Sequence, residues 1–201
     1  MWAPLEEVTA GATGVFIVPE ATEVAVSSAI SGQRLVHLAT HGFYLDEACS
    51  GRLIVDYGSR HGESHLSGSN PLVMSGIALA EANEGVGIWT AEDVASLDLL
   101  GTELVVLSAC NTGLGEVHRG QGVLGLRRAF AAAGVQNLMS SLWPVGDQPT
   151  AELMGAFYAA YLKKGDAHAA LQAAQLEMLA AQRREGDVRP RDWGAFIVAG
   201  H

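Results

Sequence analysis

Two side chains stand out for covalent chemistry, because each ends a short apolar run and is flanked by small residues. Leu35-Val36-His37-Leu38-Ala39-Thr40-His41-Gly42 delivers an imidazole, and Glu103-Leu104-Val105-Val106-Leu107-Ser108-Ala109-Cys110-Asn111-Thr112-Gly113 delivers a thiol. A thiol with a pKa of about 8.5 is only a few per cent thiolate at neutral pH. A histidine beside it raises that fraction or gives a proton to the leaving group. His41 and Cys110 therefore read as acid/base and nucleophile. The backbone amides of Gly42 and Cys110 would hold the oxyanion of a tetrahedral intermediate. Ala39, Gly42, Ala109 and Gly113 leave room for a substrate backbone. Spacing alone also fits a blander reading, an inert core thiol and a hydrogen-bonded loop histidine.

The elements that must position this pair are two strands. Each run predicts a buried strand with its reactive residue at the carboxyl end, where ligands bind in parallel sheets. Parallel neighbours lie about 4.8 Å apart, so both groups would share one crevice. Around them, residues 14–18 give a weak strand signal, and residues 21–30 predict a helix ending near Gly32. Strands are expected over 35–39, 52–56, 104–109, 137–142 and 194–198, with a Gly/Ser/His-rich surface loop over 57–71. Thr90-Ala91-Glu92-Asp93 has the form of a capping box. A long glycine-rich turn runs to Gly122, followed by a helix over 123–133 closed by Gly134, with Arg127 and Arg128 on its wet face. Pro149 suits the first turn of a helix ending at Lys163-Lys164-Gly165, with Leu153, Phe157 and Tyr161 as its apolar stripe. Asp166 caps a last helix reaching Gln182. Strands alternating with helices point to a mainly parallel sheet covered on both faces.

Composition narrows the function classes. A chain of 201 residues, 49% hydrophobic and 17% charged, suits one folded domain with a sizeable core. A net charge of −10 and the absence of a basic patch argue against nucleic acid. No stretch approaches the ~20 apolar residues of a membrane span, and the first residues lack a signal peptide's basic and apolar regions. Two cysteines make no disulfide framework. A cytoplasmic setting without membrane or nucleic-acid partners is the expectation.

Five segments in order give a specific resemblance: His37-Leu38-Ala39-Thr40-His41-Gly42, Leu104 through Gly113, Gly120-Gln121-Gly122-Val123-Leu124-Gly125-Leu126-Arg127-Arg128-Ala129-Phe130, Ser140-Ser141-Leu142-Trp143-Pro144-Val145-Gly146-Asp147, and Asp192-Trp193-Gly194-Ala195-Phe196. From residue 21 to residue 200 the chain resembles the CHAT domain family, caspase- and separase-like cysteine peptidases that often sit at the C-terminus of tetratricopeptide-repeat proteins. The resemblance implies a caspase-like three-layer α/β/α sandwich with a mainly parallel central sheet. It puts the family's catalytic histidine on His41 and its nucleophile on Cys110. It also matches Asp147 to an acidic position that contacts a basic P1 side chain. Asn111 departs from the family's usual Glu, residues 1–20 match poorly, and those twenty residues are too few for a repeat domain. The implied function is a cofactor-free cysteine endopeptidase acting on a protein or peptide substrate, restrained by a regulatory protein partner. The alternative is a catalytically inactive interaction module of the same fold.

Other constellations compete. His37 and His41 have HxxxH spacing, but Leu38 stands where a zinc peptidase needs Glu, and on a strand the two imidazoles would share a face without converging as on a helix. A packed role for His37 and no metal are expected. Gly120 through Gly125 satisfies GxGxxG, yet it lies about ten residues beyond its strand, so a loop feeding a helix is preferred to a dinucleotide site in an oxidoreductase. Cys49 sits beside Asp46 and Glu47, which disfavour a thiolate. Asp147 reads locally as a helix cap ahead of Pro149. His61, His65, His118, His168 and His201 are expected at the surface.

Overall fold

A computed structural model describes residues 21–44, 72–73, 75–80, 82, 87–108 and 119–200. The expected strands at 14–18 and 52–56, the loop at 57–71, and Cys49, His61, His65, His118 and His201 lie outside the described residues. In chain order the elements are α1 (Glu23–Ile30), β1 (Leu35–Leu38), β2 (His41–Tyr44), β3 (Ser75–Ala78), β4 (Ile88–Thr90), α2 (Ala91–Ala95), β5 (Leu104–Leu107), α3 (Arg119–Ala132), β6 (Asn137–Ser141), α4 (Asp147–Lys164), α5 (Ala167–Glu185) and β7 (Phe196–Gly200), with a 3-10 turn at Pro190–Asp192 before the last strand.

The larger sheet has the order β1-β5-β6-β7, and a smaller one has the order β2-β3-β4. β1, β5 and β6 run parallel, while β7 closes the edge antiparallel to β6. The smaller sheet is antiparallel throughout. The fold is therefore mixed α/β with a mainly parallel central sheet.

β5 shows why the sheet needs cover on both faces. Leu104, Val105 and Val106 are fully buried and Leu107 is 3% exposed, so neither face meets water. Val105 and Leu107 join a core with Val26, Ile30, Trp89 and Phe130 from α1, β4 and α3. Leu104 and Val106 join the opposite core with Leu153, Phe157, Leu171 and Met178 from α4 and α5. Burying each such side chain contributes about 1.5–3 kcal/mol, and alternation along the strand splits that gain between two helical layers.

Local signals explain most boundaries. The Thr90 side chain accepts from the Asp93 amide while Asp93 accepts from the Thr90 amide, the expected capping box of α2. α4 ends at Lys164 with Gly165 in the left-handed region (φ 71°), and basic residues occupy its last turn. The Asp166 side chain caps α5 at Ala169, and α5 runs three residues past Gln182. Leu153, Phe157 and Tyr161 are buried, while Arg127, Arg128 and His168 are exposed. No helix among the described residues is long and apolar enough to cross a membrane.

Two of the differences from expectation have a clear physical reason. α3 begins at Arg119, so Gly120, Gly122 and Gly125 lie within the helix rather than in a loop leading into it. Each glycine costs about 1 kcal/mol there, but α3 packs against α2, β2, β3 and β6, and tertiary packing overrides the local preference. The last strand starts at Phe196 instead of residue 194, because the Gly194 amide is held by the Pro190 carbonyl at 2.7 Å, one residue past the Trp193 bond that closes the 3-10 turn.

Candidate functional site

β1 and β5 are direct neighbours in the expected parallel pairing, with Leu35 opposite Leu104 and Leu38 opposite Leu107. The Ser108 amide donates to the Leu38 carbonyl at 3.2 Å, adding a last bond just past the paired residues. His41 follows Leu38 by three residues, and Cys110 follows Leu107 by three. Cys110 itself lies outside the described residues.

The chain leaves the large sheet at once after β1. His41 opens β2 and pairs with Ala78 of β3 in the smaller sheet. The expectation that His37 and His41 share one strand face is therefore corrected. β1 stops at Leu38, and His41 belongs to a different sheet. The Thr40 hydroxyl donates to the Ala78 carbonyl at this changeover.

Gly42 is buried and sits opposite Ile77. Further along the hairpin, the Leu79 amide donates to the Gly87 carbonyl at 2.8 Å. Antiparallel ladders alternate between bonded and non-bonded pairs, so Ile77, two residues earlier, also directs its backbone groups toward Trp89 on β4. Its partner on the other side, Gly42, then forms a non-bonded pair. The Gly42 amide is consequently directed away from β3, and that ladder does not consume it.

Beneath the strand ends lies a polar chain that the sequence did not announce. His37 Nε2 is 2.9 Å from Ser108 Oγ, and His37 Nδ1 is 2.8 Å from the Tyr158 hydroxyl on α4. His37 is thus the packed histidine expected, with both ring nitrogens engaged. Burial pulls its imidazole down to about 4 from the ordinary 6.5, so it is neutral at neutral pH. Burial also pushes the Tyr158 phenol up, with the nearby Tyr161 adding to the shift, so the hydroxyl keeps its proton. The signal that marks Ser108 is its phase. It follows Leu104 and Val106 at a spacing of two, onto the face covered by α4. Tyr158 lies one residue off the stripe that announces α4.

Asp147 is exposed at the first position of α4, on the same edge of the sheet as the ends of β1, β5 and β6. It does not cap the helix as its local sequence suggests. Gly146 holds the cap position without a side-chain bond. A carboxylate in the first turn still complements the helix dipole.

The turn that presents Asp147 is braced by the last motif segment. The Leu142 amide donates to the Ala195 carbonyl at 2.9 Å, and the Trp143 indole donates to the Arg191 carbonyl at 3.0 Å. The Trp193 indole donates to Gln182 Oε1 at 3.1 Å. A Cβ at Gly194 would lie 2.9 Å from the Pro190 carbonyl oxygen, so that position needs glycine. The Asp192-Trp193-Gly194-Ala195-Phe196 segment thus has a structural role in these contacts. The GxGxxG glycines are helical, which removes the turn that a dinucleotide fingerprint requires.

A mainly parallel sheet with two strand exits level at one edge, and motif segments that brace that edge, fits the sequence resemblance. The chain belongs to the CHAT domain family, whose sequence model matches residues 5–201. It is similar to tetratricopeptide repeat protein 28 of Homo sapiens, 30% identical over 190 residues, covering 90% of this chain and 8% of that protein. Against tetratricopeptide repeat protein 28 of Mus musculus it is 35% identical over 113 residues, covering 56% of this chain and 4% of the relative. The chain spans less than a tenth of the length of these curated relatives.

Proposed function

We propose that the chain is a cysteine endopeptidase of the caspase- and separase-like class, with the three-layer sandwich of that class and a His41/Cys110 dyad. The observation that carries the reading is the register of β1 on β5. Leu38 and Leu107 are level, and the two candidate groups follow at equal distances along the chain.

In this mechanism the Cys110 thiol gives its proton to His41 and its sulfur attacks the scissile carbonyl carbon. The amides of Gly42 and Cys110 stabilise the oxyanion. The direction of the Gly42 amide, away from its ladder with β3, supports that assignment. His41 protonates the departing amine as the C–N bond breaks, leaving a thioester. A water molecule, losing its proton to His41, then attacks the thioester and restores the thiol. The chemistry needs no metal or cofactor. Asp147, exposed at the same edge, is proposed to receive a basic P1 side chain. A regulatory protein partner and a cytoplasmic setting complete the proposal.

Profiling a diverse peptide library with wild type and Cys110→Ala tests it. Cleavage after basic residues by wild type alone is the expected result. A wild type and variant equally inert on every peptide would favour the non-catalytic interaction module.

A further inference from the structure

We propose that Ser108, His37 and Tyr158 act as a positioning chain, fixing the spacing of the two strand exits that lead to His41 and Cys110. The inference rests on the peptidase reading above and adds residues that act through the dyad.

β1 and β5 are paired up to Leu38 and Leu107, with one further bond from the Ser108 amide to the Leu38 carbonyl. β1 gives way to a strand of the smaller sheet. The bond between His37 Nε2 and Ser108 Oγ crosses between the strands at this point of departure. Tyr158 holds the imidazole from α4, the helix whose first turn carries Asp147.

The polar atoms here are poorly explained as filler. Leu35, Leu104 and Val106 share their face of the sheet, and apolar side chains would pack there without needing partners. Among the described residues, His37 is the hydrogen-bond partner of the Tyr158 hydroxyl, and Tyr158 is 1% exposed. A buried phenolic proton needs an acceptor. Tyr158 therefore donates to His37 Nδ1, and His37 in turn donates from Nε2 to Ser108 Oγ. The low basicity of the imidazole agrees with a neutral ring carrying one proton. Direction is thus fixed from α4 through β1 to β5. Such a chain holds the two exits in one arrangement, and a misplacement of about 1 Å at reacting groups can cost a hundredfold in rate.

The test uses kcat and KM on the best peptide from the library, for wild type, Ser108→Ala, Ser108→Thr, Tyr158→Phe, the Ser108→Ala/Tyr158→Phe pair and Cys110→Ala, with melting curves alongside. The expected result is about a tenfold fall in kcat for Ser108→Ala and Tyr158→Phe, with KM held within about twofold. The pair should be no slower than the slower single variant, since both break one chain, and Ser108→Thr should recover kcat. Wild-type kcat in folded Ser108→Ala and Tyr158→Phe, with Cys110→Ala inactive, would overturn the positioning role and leave the peptidase standing. A fall in kcat that Ser108→Thr does not recover would likewise overturn it. Cleavage that is absent in wild type, or unchanged in Cys110→Ala, would remove the peptidase reading and this inference with it.

Discussion

Leu38 and Leu107 face one another across the last paired position of the β1–β5 ladder, and the hydroxyl of Ser108 reaches back over it to His37. The relation joins fold to site in a single place. Apolar side chains set the register, a polar chain secures its end, and the residues of the candidate dyad follow on both strands. Several consequences can be measured.

The first concerns pH. Burial holds the His37 imidazole at about 4, against 6.5 in the unfolded chain. Above pH 6.5 both states are neutral and stability is full. As pH falls toward 4, the unfolded chain gains a proton that the folded chain refuses. Stability then drops by about 1.4 kcal/mol per pH unit, or about 3 kcal/mol across the window. Urea titrations of wild type and His37→Gln from pH 7 to 4 should diverge by about that amount, with wild type losing more. Parallel curves would contradict the assignment.

Removing the Tyr158 hydroxyl leaves His37 Nδ1 without its bond while keeping the ring that packs against Phe157. Tyr158→Phe should cost about 1–2 kcal/mol in denaturant unfolding at pH 7. A variant as stable as wild type would show that the bond contributes nothing net.

Selectivity tests the exposed carboxylate at the start of α4. With substrates differing only at P1, Asp147→Asn should lower kcat/KM for Arg and Lys about tenfold, equivalent to ~1.4 kcal/mol, and leave uncharged P1 residues unaffected. Retention of the wild-type preference would remove Asp147 from recognition.

The capping box gives a control away from the site. Thr90 is 6% exposed and caps α2 through its side chain. Thr90→Ala should cost about 1 kcal/mol or more in stability, with kcat on the library peptide unchanged. A fall in kcat would tie the β4–α2 corner to the active edge.

Much of this architecture was legible because short-range signals agreed with the fold. The Lys163-Lys164-Gly165 stop, the Asp166 cap and the doubly buried run of β5 each follow from local chemistry. The smaller sheet was not legible. His41-Gly42-Phe43-Tyr44 and Ser75-Gly76-Ile77-Ala78 are short and glycine-bearing, and their order comes from pairing between segments more than thirty residues apart. Gly120 and Gly122 read as a turn because helix propensity ignores the packing that α3 makes with both sheets. At the site, apolar runs flagged His41 and Cys110. The use of Ser108 and Tyr158 depended on contacts spanning 71 and 121 residues, which no local pattern records.

The proposed His41/Cys110 dyad is best tested by an electrophilic peptide that captures a reactive thiol, followed by mass spectrometry of the labelled site. Cys110 should be modified in wild type, and the label should disappear in His41→Ala. Labelling of Cys110 that proceeds equally without the imidazole of His41, or its absence in wild type, would contradict it.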